Sequence, residues 1–277
     1  MKSHTKNLRF NHNPLNLILG TRKKQGLRIG YMEAALDGFY LNCMETGVHP
    51  EKLSKLLSDK FHCTDAISSC QLFLFLINEG DRASYSIMVP YLLSTENLNQ
   101  FENTIRERFY GVDRFIQQGR NLYKFKEYIE ERGEPIVWIN DLERGVIGWD
   151  MAQVVGLARA AKDCGYITKE QAWEYIEQAS TLCSEILRTP EEIDKSFLIG
   201  GAMKSNKIED WEELILCYSL LRNSGGVVIS HGRPRNPDKS AGQGKYLNPA
   251  RQPANQRPSF YIVLLYDRHI QYLHYLW

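Results

Sequence analysis

Two ionisable residues, Asp150 and Arg159, are the strongest candidates for chemistry because both fall in a mainly apolar stretch of the sequence. A buried carboxylate or guanidinium group is costly unless a partner compensates its charge. Asp150 could act as a general acid or base, and Arg159 could hold an anionic group. Their positions differ by about 180° around a helix, so they cannot pair with each other within one helix.

Each of the two residues also has a structural interpretation. Asp150 falls in the first turn of a predicted helix, where a carboxylate stabilises the positive end of the helix dipole. Arg159 could pair with Asp163, four residues further on, or link its helix to another element. No nucleophile or set of metal ligands surrounds them, which favours the structural interpretation. A binding module would tolerate Asp150→Asn, whereas an enzyme would keep its fold and lose its activity.

Several common kinds of functional site have no matching motif in the sequence. There is no H-E-x-x-H pair, Cys/His cluster, phosphate-binding loop, dinucleotide fingerprint or nucleophile elbow. His62 and Cys63 are adjacent, and we interpret them as a surface histidine beside a core cysteine rather than as a thiol site. We therefore expect no metal and no cofactor.

Asp150 and Arg159 belong to a predicted helical hairpin. The first helix is expected from about Trp149 to Cys164, and Gly165 closes it. Thr168 then caps a second helix, with Gln171 completing a capping box. The turn has the outline of half a calcium-binding loop, but the oxygen ligands that Ca²⁺ needs are absent from the required positions. The apolar stripe of the second helix contains Ala172, Ile176, Ala179, Cys183 and Ile186.

The hairpin is similar to an uncharacterised bacterial domain family, the YbeR/YbeU-like proteins. The pattern is W-D followed by A-R in the first helix and G-Y-I-T-x-E-x-A-W-x-Y across the turn. The resemblance covers about Trp138 to Leu221, and Gly200 and Gly201 resemble the next helix of the family. It implies a helical bacterial protein and supplies no reaction. The matching residues are Trp149, Asp150, Ala158, Arg159, Gly165, Tyr166, Ile167, Glu170, Ala172, Trp173 and Tyr175.

Helix signals are dense in the remainder of the chain. Thr189, Pro190 and Glu192 together make a strong helix start. Pro90 is expected to break a segment, and the acidic residues after Ile208 either stabilise a helix start or form a docking site. Further helices are predicted at 31–45, from Pro50, from a Thr64 cap, from a Ser94 or Thr95 cap, at 112–118, at 122–131 and around Trp211.

These signals predict a mainly α-helical fold, a compact multi-helix domain built around the central hairpin. Residues 1–30 are expected to form a flexible basic arm and residues 31–222 the helical domain. Residues 223–259 form a predicted flexible linker of low complexity, and 260–277 an apolar and aromatic tail. The net charge of +1 gives no protein-wide electrostatic case for nucleic-acid binding. Only the basic arm could bind nucleic acid, and weakly.

Six cysteines without a C-x-x-C pair favour a reducing compartment. No apolar run has the length of a membrane span, so a cytoplasmic protein is predicted. The leading functional hypothesis is a non-catalytic protein-interaction module with an unidentified protein partner. The alternative is an enzyme, an effector or a toxin with a site around Asp150 and Arg159.

Overall fold

The computed structural model describes residues 8, 10–15, 19–109, 113–133, 137 and 139–223. All of them belong to one compact unit. The helices are α1 (Thr21–Ile29), α2 (Tyr31–Leu36), α3 (Pro50–Phe61), α4 (Ala66–Asn78), α5 (Gly80–Ser94), α6 (Leu98–Arg108), α7 (Asp113–Glu131), α8 (Ile139–Arg144), α9 (Ile147–Asp163), α10 (Lys169–Ile186), α11 (Pro190–Lys204) and α12 (Ile208–Asn223).

Helix α9 forms the centre of the fold. Its sequence is apolar or small on almost every side, which predicts a helix surrounded by others. The structure confirms this, because every residue from Asp150 to Ala161 is buried. The helices packed against α9 are α1, α2, α3, α4, α5, α10 and α11. Any polar side chain on α9 must therefore find its partner on a neighbouring element.

The predicted hairpin is present as α9 and α10. Gly165 has a φ of +76°, the left-handed conformation expected of the residue that closes a helix. Thr168 and Gln171 form the predicted capping box at the start of α10. Residues Ala172, Ile176, Ala179 and Cys183 of the apolar stripe are buried, whereas Ile186 at the end of α10 is 47% exposed.

The start of α11 and its two glycines also follow the sequence prediction. Thr189 and Glu192 form a capping box around Pro190. A Cβ atom at Gly200 would lie 2.3 Å from the Cβ and Cγ of Trp149, and one at Gly201 would lie 2.8 Å from Leu214. The two glycines therefore allow α9 and α12 to approach α11 closely.

The beginning of the chain differs from the prediction of a flexible arm over residues 1–30. Residues Thr21–Ile29 form α1, and Leu27 and Ile29 are buried. The Gly26 Cβ position lies 2.6 Å from Ile176, so α1 packs directly on α10. The sequence pattern did not predict this helix, because its first half is basic and polar and only its second half carries apolar side chains.

The helix predicted at 31–45 is also shorter in the structure. Helix α2 ends at Leu36, and Gly38 turns the chain with a φ of +75°. Residues 39–46 then form an irregular loop whose Tyr40 makes an isolated parallel β-bridge to Asn11. The apolar residues that suggested a longer helix, Phe39 and Met44 among them, are buried in this loop instead.

Several predicted helix boundaries are wrong by a few residues. Pro90 does not break the chain but lies inside α5. Asp65, rather than Thr64, caps α4. Asn97, rather than Ser94 or Thr95, caps α6. The two pieces predicted at 112–118 and 122–131 form one helix, α7.

Gly119 lies in the middle of α7, where its Cβ position is 2.3 Å from the ring of Phe101. The glycine is thus a packing contact between α6 and α7 and not a helix break. The linker predicted at 223–259 and the tail at 260–277 lie outside the described residues, except that Asn223 ends α12. Within the described part of the chain, none of the helices has the length and apolar character needed to cross a membrane.

Candidate functional site

Asp150 lies in the first turn of α9, where it is completely buried. Its Oδ1 accepts a hydrogen bond from the backbone N–H of Asp81 at 2.9 Å. Its Oδ2 accepts from the backbone N–H of Arg82 at 3.1 Å and from the Arg82 guanidinium at 2.9 Å. The first N–H groups of a helix have no partner within that helix. Asp150 therefore caps α5 from a different helix.

The ionisation of Asp150 is strongly perturbed. Burial, reinforced by the neighbouring carboxylate of Asp81, raises the pKa of Asp150 to about 7, and Arg82 and the two backbone N–H groups oppose part of this shift. A pKa in this range is typical of catalytic acids and bases. However, a group with no exposed surface cannot exchange a proton with a substrate unless α5 moves away.

Asp81 and Arg82, which surround Asp150, belong to no functional motif in the sequence. Asp81 accepts hydrogen bonds from Arg114 at 2.9 Å, from the Trp149 indole N–H at 3.0 Å and from Lys204 at 3.3 Å. It thus joins α5, α7, α9 and α11. The only signal in the sequence is that two charged residues directly follow Gly80.

Arg159 is 1% exposed and extends toward the loop at residues 39–46. Its guanidinium donates to the backbone carbonyls of Tyr40, Met44 and Glu45. Burial lowers the pKa of Arg159 to about 10, so it remains charged at neutral pH. The Arg159 guanidinium thus provides hydrogen-bond donors for buried loop carbonyls that are not paired within a helix or a sheet. Of the structural alternatives, the link to another element is the one observed.

The pairing of Arg159 with Asp163 is not observed. Asp163 Oδ2 instead accepts from the backbone N–H of Thr46 at 2.7 Å and from its hydroxyl at 2.8 Å. Asp163 and Arg159 therefore hold the same loop through different groups. Arg159 reaches the loop carbonyls, and Asp163 reaches an N–H and a hydroxyl.

The structure does not bring Asp150 and Arg159 together. They lie on opposite sides of α9, one against the start of α5 and the other against the loop after α2. His62 is exposed and Cys63 buried, as the sequence predicts. No three His, Cys, Asp or Glu side chains among the described residues are arranged to hold a metal ion. The geometry around Asp150 and Arg159 is that of two structural anchors.

A different surface stands out on α4. This helix of 13 residues has no charged side chain, and its inner face packs through Phe73 and Leu76. Ile67 is 71% exposed and Leu74 is 61% exposed. Residues seven positions apart lie on the same face of a helix. The two side chains therefore form an apolar outer face, which we call the α4 face.

The comparison with known proteins identifies a family. The DUF1266 family, whose description is "protein of unknown function", matches residues 56–227, more than half of the chain. The chain belongs to this family. The DUF1266 match contains α4, the central hairpin and α11, so the buried anchor at Asp150 and the α4 face both lie within it. No curated protein matches the chain. No solved structure matches it either.

Proposed function

We propose that this DUF1266 protein is a bacterial, cytoplasmic protein of the YbeR/YbeU-like kind, and that it is a non-catalytic protein-interaction module. The observation that carries the proposal is the α4 face. The outer side of a surface helix ordinarily carries charged and polar residues. Here a helix without any charge exposes Ile67 and Leu74 instead. Exposed apolar patches are found at protein-interaction sites.

The α4 face suits one kind of partner, an amphipathic helix of another protein. Such helices dock through apolar side chains at spacings of three, four and seven residues. Ile67 and Leu74 have the seven-residue spacing, and the uncharged Cys70 and Gln71 lie between them. The helix is held firmly from behind, because Phe73 stacks on Tyr175 with ring centroids 3.7 Å apart. The partner would therefore meet a rigid surface.

The localisation part of the proposal draws on the cysteines. All six lie in the described part of the chain as free thiols, and Cys43, Cys63, Cys183 and Cys217 are buried. Buried free thiols are common in proteins of reducing compartments. The bacterial assignment draws only on the resemblance of the hairpin sequence.

The alternative function is an enzyme, an effector or a toxin with a site at Asp150 and Arg159. The raised pKa of Asp150 is the observation that favours it. Against it, every hydrogen-bonding contact of Asp150 holds α5, and every contact of Arg159 holds the loop at 39–46. A substrate would have to displace one of these elements, so we favour the interaction module.

Site-specific crosslinking tests the proposal. A photoreactive amino acid in place of the exposed Gln71 should form a discrete adduct with one protein in the native cell. The double variant Ile67→Lys and Leu74→Lys should abolish this adduct, because two buried ammonium groups would be left without partners at the interface. An adduct at the mass of two copies of this chain would identify the partner as a second copy.

The control is Ile208→Lys, which places one such charge on an exposed isoleucine at the start of α12. It should leave the adduct unchanged. The proposal fails if no discrete adduct forms, or if Ile208→Lys reduces the adduct as much as the double variant does. Circular dichroism of both variants establishes that the fold is retained.

A further inference from the structure

An extended segment near the beginning of the chain, residues 10–13, lies along the loop at residues 39–46. We call it the N-terminal segment. Asn11 makes the isolated parallel β-bridge to this loop, and its carbonyl accepts from the backbone N–H of Leu41 at 2.8 Å. The Asn11 side-chain amide donates to the carbonyl of Gly38 at 2.8 Å. The loop thus binds the segment as a sheet edge binds an added strand.

Asn42 holds the backbone of the N-terminal segment with both ends of its side-chain amide. Its Oδ1 accepts from the backbone N–H of Asn13 at 2.8 Å, and its Nδ2 donates to the carbonyl of the same residue at 2.9 Å. These two bonds contact the peptide backbone and not a side chain. An amide side chain in this arrangement can hold any extended residue that has a free N–H. Proline has none, so it would lose one of the two bonds.

The loop at residues 39–46 is held in its conformation from inside the protein. Arg159 donates to three of its carbonyls, and Asp163 accepts from the N–H and hydroxyl of Thr46. None of these contacts involves the N-terminal segment. The loop should therefore keep its shape when the segment leaves, and a preformed site loses little entropy when it binds a ligand.

The N-terminal segment contributes little to the core. None of residues 10–15 is buried, and Leu15 is 88% exposed. The segment is attached mainly by hydrogen bonds, and each of these replaces a bond to water, so its net gain is small. The entropy lost in ordering the segment offsets much of this gain. Another peptide with the same backbone geometry can therefore take its place.

We propose that the loop at residues 39–46 is a binding site for an extended peptide of another protein, and that the N-terminal segment occupies it as a built-in competitor. The ligand carries an asparagine for the Gly38 carbonyl and, two residues later, a free N–H and a carbonyl for Asn42. Because the segment is tethered, its effective concentration is high, and the partner binds in competition with it. The site shares no residue with the α4 face and goes beyond the function proposed there.

The probe for the test is a fluorescent peptide with the sequence of residues 8–15, LRFNHNPL. Its binding to the full chain is measured by fluorescence anisotropy. The double variant Asn11→Ala and Asn13→Pro weakens the competitor and leaves the loop unchanged. It should bind the probe at least about tenfold more tightly than the wild type does. A control peptide with the same two substitutions should bind neither chain.

A further substitution tests Asn42. Adding Asn42→Ala to the double variant should weaken probe binding by about tenfold or more, because both bonds to the peptide backbone are lost. The control is Asn103→Ala, which removes an exposed asparagine side chain from α6 and should leave the affinity unchanged. If the double variant fails to fold, the wild type provides the test. An excess of the probe should accelerate hydrogen exchange at the backbone amide of Asn13, and the control peptide should not.

Four results would overturn the proposal. They are the absence of saturable binding to the double variant, equal affinity of the probe for the wild type and the double variant, equal weakening by Asn42→Ala and Asn103→Ala, and unchanged exchange at Asn13 in an excess of the probe. None of these measurements involves the α4 face, which the crosslinking at Gln71 tests separately. Failure of either proposal therefore leaves the other standing.

Discussion

Replacing Gly80 with alanine should destabilise the protein more than the same change at any open glycine turn. Gly80 has a φ of +60°, in the left-handed region that disfavours other residues. A Cβ atom there would lie 2.2 Å from Oδ2 of Asp150 and 2.4 Å from its Cγ. The carboxyl group cannot withdraw without losing its hydrogen bonds to Asp81 and Arg82. The substitution therefore disturbs the tertiary cap of α5.

The expected loss of stability in Gly80→Ala is the sum of two contributions. The left-handed conformation costs an alanine about 1–2 kcal/mol. Forcing a methyl group against a packed, hydrogen-bonded group adds about 1–3 kcal/mol. Gly80→Ala should therefore lower the free energy of unfolding by roughly 2–5 kcal/mol. In a domain of this size each kcal/mol lowers Tm by about 2–4 °C.

Gly165→Ala is the matched control. Gly165 also has a positive φ, +76°, but no heavy atom lies within 4 Å of its Cβ position. This variant should lose only the backbone term of about 1–2 kcal/mol. Denaturant unfolding followed by circular dichroism compares the two variants, and hydrogen exchange should show faster opening at Asp81 and Arg82 only in Gly80→Ala. Equal losses of stability in the two variants would refute the tertiary cap.

Two further substitutions test the other buried contacts. Arg159→Met leaves the carbonyls of the loop at 39–46 without donors, so amide exchange in this loop should accelerate and stability should fall by about 2–4 kcal/mol; unchanged exchange would contradict the anchoring role. Ser196→Ala removes the hydroxyl that donates to Gly145 at 2.7 Å and accepts from the N–H of Gly148 at 2.9 Å. It should cost about 1–3 kcal/mol in denaturant unfolding, and the exposed Ser86→Ala should cost almost nothing.

The structure also changes the expected effect of the Asp150→Asn substitution on the fold. From the sequence, this variant was expected to retain the fold whether the protein is an enzyme or a binding module. Because Asp150 accepts three hydrogen bonds at the start of α5, an amide NH₂ group in place of one oxygen would face a donor. Loss of function in this variant would therefore have to be separated from loss of stability.

Local signals determined most of the helices from the sequence alone. These signals include the capping boxes at Thr168 and Thr189 and the glycine at 165. Each involves groups only a few residues apart, so it can be recognised in the sequence. The burial of α9 followed from its apolar character on almost every side. The boundaries at Asp65 and Asn97 were missed because several neighbouring residues could have provided the cap.

Only the tertiary structure decided the roles of the charged residues. The sequence marked Asp150 and Arg159 as unusual, because each charge stands in an apolar helix. Asp150 accepts from an N–H group 69 residues earlier, and Arg159 donates to a carbonyl 119 residues earlier. Such distant partners leave no periodic pattern in the sequence. Any backbone group that the fold brings near can form a hydrogen bond with the charged side chain. Sequence pattern thus determines which residues must be buried, and the packing of distant elements determines what each buried charge contacts.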